Sequence, residues 1–203
     1  MIMKILNFIF VLLIIYFAFV YGRYKYVVVR ADLPQIKQSD RTIGAGAPLR
    51  YIAAGDSTAV GEGASSVEKT YTYRLADFLA QKYLVDYHNM AVVGDKTSDL
   101  VQNQLPAIIA FNPDIVTISV GANDINHWVA SDQILANYKT IIATLTTKTT
   151  AKIYITDIPG LQNAKILPFW YRSWIDWRAK KLNLELLALE TDRVKFIDIH
   201  EFG

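Results

Sequence analysis

The segment Tyr51 to Ser66, YIAAGDSTAVGEGASS, sets a serine directly after a short apolar run, behind Gly55 and Asp56. Its hydroxyl has two readings. Gly, Asp and Ser are the residues with which a chain reverses and bonds its own backbone, so Gly55-Asp56-Ser57 describes a turn. The same triplet also describes a nucleophile held at the carboxyl end of a strand, where open α/β sheets bind their ligands. Two more small polar clusters follow apolar runs, at Gly94 and at Gly121-Ala122-Asn123-Asp124. The elements between the three clusters decide whether they share a site.

Those elements alternate in period. Aliphatic and aromatic runs of strand length occur in RYIAAG, VDYHNMAV, DIVTISVG, KIYITD and VKFIDI. Stretches with helical spacing stand between them. In YTYRLADFLAQKYL, the residues Tyr71, Leu75, Phe78, Leu79 and Leu84 keep to one side of a 3.6-residue repeat. SDLVQNQLPAIIAF opens on Ser98 and Asp99 as caps and carries Pro106 in its middle, and SDQILANYKTIIATL and WIDWRAKKLNLELLALE supply two more. Five strands alternating with helices imply a parallel sheet covered on both faces and joined by right-handed crossovers. The loops holding Ser57, Gly94 and Asn123 then leave the same edge of that sheet and face one crevice.

Composition narrows the function. A chain of 203 residues is long enough to bury a core, its 21 basic and 19 acidic residues give a net charge of +2, and it has no cysteine. The charge argues against a nucleic-acid partner, and the missing cysteines exclude disulfides, thiolate metal sites and a thiol nucleophile. Residues 5–21, ILNFIFVLLIIYFAFVY, are apolar apart from Asn7. That length spans a thin hydrocarbon core as a helix, and no small-x-small cleavage site follows it. The expectation is an uncleaved membrane anchor over residues 1–24, with a secretory signal peptide as the rival. Arg23, Lys25, Arg30, Lys37 and Arg41 after the span outnumber Lys4 before it, which favours the domain inside. Residues 25–49, with Pro34, Pro48 and Gly-Ala-Gly-Ala, read as a linker. The domain covers residues 50–203.

With these elements in place, AAGDST, NMAVVGDKTSDL and VGANDI resemble, in order, the first three blocks of the SGNH hydrolases, the GDSL esterase and lipase family. The resemblance runs from about Arg50 to the end of the chain. It implies a three-layer α/β/α fold with a flavodoxin-like five-stranded parallel sheet and hydrolysis of carboxylic esters without metal or organic cofactor. It makes Ser57 the nucleophile, Gly94 and Asn123 oxyanion-hole residues, and small-molecule, lipid or carbohydrate esters the substrates. Because that family more often works outside the cell, it sets an extracytoplasmic domain against the charge count. Asp56 and Asp124 read more simply as acids that build their loops. A G-x-S-x-G nucleophile elbow is absent around Ser57.

The base is the departure from the family pattern. The family takes its Asp and His from a D-x-x-H block after the fifth strand, and VKFIDIHEFG stops before it. The sequence is therefore read as a fragment, incomplete at its carboxyl end, with the Asp–His pair further on. His88 lies within a strand and reads as structural. His127, in Asp124-Ile125-Asn126-His127, and His200, beside Asp198, remain as candidates within the chain. Trp170, Trp174 and Trp177 recur at helical spacing, either as a core stripe or as an aromatic wall for an acyl chain or sugar or a membrane contact. Two other functions stay open: a ligand-binding module that lost its base, and acyl transfer to a sugar hydroxyl.

Overall fold

A computed structural model describes residues 2–30, 36, 40–160 and 167–199. Its strands are β1 (Arg41–Gly44), β2 (Ala47–Gly55), β3 (Tyr83–Asn89), β4 (Ile115–Ser119), β5 (Lys152–Thr156) and β6 (Val194–Ile197). The helices are α1 (Ile2–Arg30), α2 (Ser57–Val60), α3 (Tyr71–Ala80), α4 (Thr97–Asp99), α5 (Leu105–Phe111), α6 (Ala122–Asn126), α7 (Ser131–Lys148) and α8 (Phe169–Leu187). The strands form one sheet in the order β1-β3-β2-β4-β5-β6. All neighbours pair in parallel except β1, which runs antiparallel to β3.

The five expected parallel strands are therefore present, and a sixth caps the edge. Arg41–Gly44, read from sequence as linker, pairs with β3 from Arg41↔Tyr87 to Gly44↔Leu84, and β2 starts at Ala47 rather than Arg50. A four-residue strand that ends on a glycine carries too little period to stand out from a loop. The apolar helix also runs further than the span alone, to Arg30. Its stretch Ile2–Gly22 has 21 residues with a mean hydropathy of 2.5 and is long and apolar enough to cross a membrane.

Alternation along β2 explains why it sits at the centre. Ile52 and Ala54 point to one face with Val116, Ile118, Ile153 and Ile155, under Ile108 of α5, Ile141 of α7 and Leu182 of α8. Tyr51 and Ala53 point to the other face, with Val85, Tyr87 and Ala76 of α3. Fully burying one such aliphatic side chain contributes about 1.5–3 kcal/mol, so a polar replacement at Ile52 or Ile118 costs more than any surface change in the domain. On α3 the expected stripe shifts. Phe78 is exposed, Thr72 and Ala76 are buried, and Leu84 belongs to β3, because the helix stops at Ala80.

Helical structure continues unbroken from Thr97 through Pro106. Leu100–Gln104 forms a π turn, and the Leu105 N–H reaches back five residues to the Leu100 carbonyl. The wider turn absorbs the N–H that Pro106 lacks and relieves its ring's clash with the preceding turn. The bulge has a consequence at the sheet edge, where Gln104 points.

Candidate active site

The carboxyl ends of β2, β3 and β4 release three loops that hydrogen bonds tie to one another in pairs. Ser57 is the first residue of α2, half-buried, so its amide has no acceptor inside the helix. Asp56 caps that helix, its Oδ1 accepting from the Thr58 N–H at 2.9 Å. Gly55 has φ 139°, and a Cβ there would run into the carbonyl of Ser119. This close approach locks the serine turn to the end of β4, where the Asp56 N–H also donates to the Ser119 carbonyl at 2.9 Å.

The second loop lies along the first. Met90 N–H donates to Ala53 O at 2.8 Å and Val92 N–H to Gly55 O at 3.0 Å, which carries the chain beside the serine turn to Gly94. Asn89 fastens the start of this loop to α2, with Nδ2 donating to the Ala59 carbonyl at 2.8 Å and Oδ1 accepting from the Ala91 N–H at 3.0 Å. Gly94 is exposed, has φ 88°, and a Cβ there would meet nothing within 4 Å. Glycine is therefore required by the left-handed backbone, and a larger residue would strain the loop rather than fill the crevice.

The third loop closes the set. Asn123, on α6, donates through Nδ2 to the carbonyl of Asp95 at 3.0 Å. One amide hydrogen thus fixes the side chain beside Gly94, and the second stays available for another acceptor. Asp124 turns inward, accepting from the Thr97 N–H at 2.9 Å and from Thr97 Oγ1 at 2.6 Å. Tyr138 of α7 supports the same loop, its hydroxyl donating to the Val120 carbonyl at 2.6 Å. Asp56 and Asp124 are loop-building acids, as read from sequence.

Gln104 joins the first two loops from below. Its Oε1 accepts from the Gly55 N–H at 2.9 Å, and its Nε2 donates to the Gly55 carbonyl at 2.8 Å and to Asp95 Oδ2 at 2.7 Å. The side chain is buried. Its removal would strand the Gly55 N–H, at about 1–3 kcal/mol, whereas the Gly55 carbonyl would keep the Val92 N–H. Sequence reading missed this residue. The available signal was a glutamine on the buried side of its helix, four residues after Leu100 and four before Ile108.

The histidines separate clearly. His88 sits at the sheet edge, its Nδ1 3.0 Å from Asp40 Oδ1 and its Nε2 3.1 Å from Asp86 Oδ1, with Phe111 against the ring. It joins the chain entering β1 to β3. His127 caps α6 and is exposed, with Nδ1 2.7 Å from the Asn123 carbonyl. Donation there leaves Nε2 as the basic nitrogen. Its sequence partner Asp124 is committed to Thr97, so the two do not form an Asp–His pair. Asp198 is exposed directly after β6, and His200 lies outside the described residues.

Trp170 and Trp177 are exposed and do not form a core stripe, while Trp174 is half-buried. Trp174 stacks against Trp128 with ring centres 4.3 Å apart, and Trp128 stands one residue beyond His127. Arg178 lies over the Trp174 ring at 5.0 Å and donates to the Val129 carbonyl, which pins the loop after α6 to α8.

Burial sets the electrostatics beneath the loops. Asp56 is pushed up to about 6, chiefly by desolvation, with the Thr58 N–H opposing and the nearby Asp124 and Asp95 adding to the rise. Asp124 is raised by desolvation as well, against its bonds to Thr97. A carboxyl whose folded value is raised keeps a proton that the unfolded chain has already lost, so its contribution to stability is full below the ordinary aspartate range and is lost as pH rises through about 6. Asp56→Asn keeps the capping oxygen and removes the titration. The expected result is a smaller fall in Tm between about pH 4 and pH 6 than in the parent protein, measured by thermal denaturation.

The sequence profile of the GDSL-like lipase/acylhydrolase family matches residues 53–203. Among solved structures, a variant of an acetyl xylan esterase from Geobacillus stearothermophilus superposes with a TM-score of 0.55 at 18% identity, covering 72% of this chain and 74% of that one. The psychrotrophic esterase EstA from Pseudoalteromonas sp. gives 0.52 at 15% identity, over 73% and 76%. The structure of TesA gives 0.53 at 20% identity, over 67% and 73%. No curated protein matched significantly. At such identities the structural likeness is one of fold.

Proposed function

The chain belongs to the GDSL-like lipase/acylhydrolase family and is a carboxylic ester hydrolase, and from that premise we propose that Ser57 is its nucleophile, with Gly94 and Asn123 holding the oxyanion. The observation that carries this reading is the pairwise bonding of the three loops, above all Asn123 Nδ2 to the Asp95 carbonyl at 3.0 Å. It holds an amide donor beside the Gly94 backbone without exhausting its hydrogens.

On this reading the Ser57 oxygen attacks the ester carbonyl, and negative charge moves onto the carbonyl oxygen. The N–H groups of Ser57 and Gly94 and the free amide hydrogen of Asn123 receive it. Collapse expels the alcohol and leaves an acyl group on Ser57, which water then removes. The Ser57 proton passes to a histidine oriented by an aspartate, supplied by the chain that leaves β6 at the same edge of the sheet. α1 anchors the domain to a membrane. The substrate is an ester of a small molecule, lipid or carbohydrate.

The Pseudoalteromonas esterase was solved inhibited by monoethylphosphonate. A fluorophosphonate probe applies the same chemistry here, because phosphorus takes the place of the attacked carbonyl carbon. The expected adduct is a single one on Ser57, mapped by peptide mass spectrometry. An adduct on another serine or threonine would move the nucleophile and overturn the assignment.

A further inference from the structure

Helix α8 is apolar on two opposite sides. Ile175, Ala179, Leu182 and Leu186 face the core, whereas Trp170, Trp177 and Leu184, seven residues apart, face outward with exposures of 49%, 60% and 69%. Phe169 is 76% exposed at the start of the helix. Ser173, Lys180 and Lys181 fill the outward stripe between the apolar residues, and Glu185, the only exposed acid of α8, lies on its flank. The face widens at Trp128, 64% exposed and stacked on Trp174. All four tryptophans of the chain are thus gathered in one patch.

The patch continues onto α1. Trp170 Nε1 lies 3.4 Å from the Tyr16 hydroxyl, and the Phe17 ring meets Trp170 edge-on at 6.2 Å. Tyr16 stands six residues before Gly22, where the membrane-length stretch ends. At 1.5 Å per residue this is about 9 Å inside that end. Side chains of amphipathic helices lie about 5–10 Å into the boundary between headgroups and acyl chains. Tryptophan, with an apolar body and one N–H, is enriched at that depth, and lysines beside it reach back toward phosphate.

We propose that the outward face of α8, with Trp128, rests in the headgroup layer of the bilayer that holds α1. Trp170 enters deepest, next to Tyr16, and Lys180 and Lys181 meet anionic headgroups. Trp128 follows α6, so the rim of the crevice that carries Asn123 lies against the same surface. The proposal rests on α1 being retained as an anchor.

The four tryptophans make the test direct, since tryptophan emission, excited selectively over tyrosine, reports on this patch alone. The full chain is placed in vesicles of phosphatidylcholine and phosphatidylglycerol whose acyl chains are brominated near the headgroup. Emission should shift to the blue and lose about half or more of its intensity relative to unbrominated vesicles. The double variant Trp170→Ser, Trp177→Ser, with its fold checked by circular dichroism, should lose most of that quenching. A chain that floats with the vesicles while its emission stays unquenched overturns the docking and leaves the anchor standing. Emission that is blue-shifted but unquenched overturns it too, because protein and not lipid then covers the rings. A chain that does not float refutes the anchor, and this inference with it.

Discussion

Replacing Ser57 by Ala is expected to reduce hydrolysis of p-nitrophenyl acetate to the residue that oxyanion donors and binding alone provide, about 10³- to 10⁴-fold over water. Ser57 opens α2 at the edge of the sheet, at the meeting of the three loops. His127→Ala is the informative companion. Its Nδ1 is held by the Asn123 carbonyl and its sequence partner Asp124 by Thr97, so it lacks the oriented carboxylate that a triad histidine uses. Activity should fall less than about tenfold in His127→Ala, well below the 10²–10⁴-fold that general-base catalysis supplies. A loss as deep as that of Ser57→Ala would assign the base to His127 and remove the need for one from the chain after β6.

Asn123→Ala should lower kcat by about 100- to 1000-fold with KM little changed, since a donor aimed at developing charge is felt only in the transition state. The Nδ2 bond to the Asp95 carbonyl shapes this expectation. Alanine removes both the donor and the brace that joins α6 to the Gly94 loop, so part of the loss reflects a looser loop. Asn123→Asp removes both the donor and the brace and adds repulsion, because the carboxylate keeps the size of the side chain but faces both the Asp95 carbonyl and the incoming oxyanion with negative charge. Its kcat should be no higher than that of Asn123→Ala. Steady-state kinetics on the three proteins decide the matter, and a rise in KM at unchanged kcat would make Asn123 a substrate-binding residue.

Much of this protein could be read before folding was considered, because some of its information is local. The parallel strands stood out because their Ile, Val, Ala and Tyr runs are buried on both faces, as at Tyr51, Ile52, Ala53 and Ala54. Gly55, Gly94 and Asn123 stood out because loops at the carboxyl ends of such strands have nowhere else to go. Position and period also marked α1, whose apolar run needs no tertiary partner to be recognised.

Tertiary structure decided what no local pattern encodes. β1 became a strand only because β3 offered it an unpaired edge, which turned an apparent linker into part of the sheet. Gln104 acquired its place when the π turn before Pro106 directed a polar side chain at the Gly55 peptide, 49 residues away in sequence. The tryptophans of α8 could equally have packed inward by spacing alone. Both sides of that helix are apolar, and periodicity states how residues share a face without stating which face meets the sheet. The core chose the side of Ile175, Ala179 and Leu182, whose smaller side chains pack closely against α7 and the sheet, and so left Trp170 and Trp177 outside.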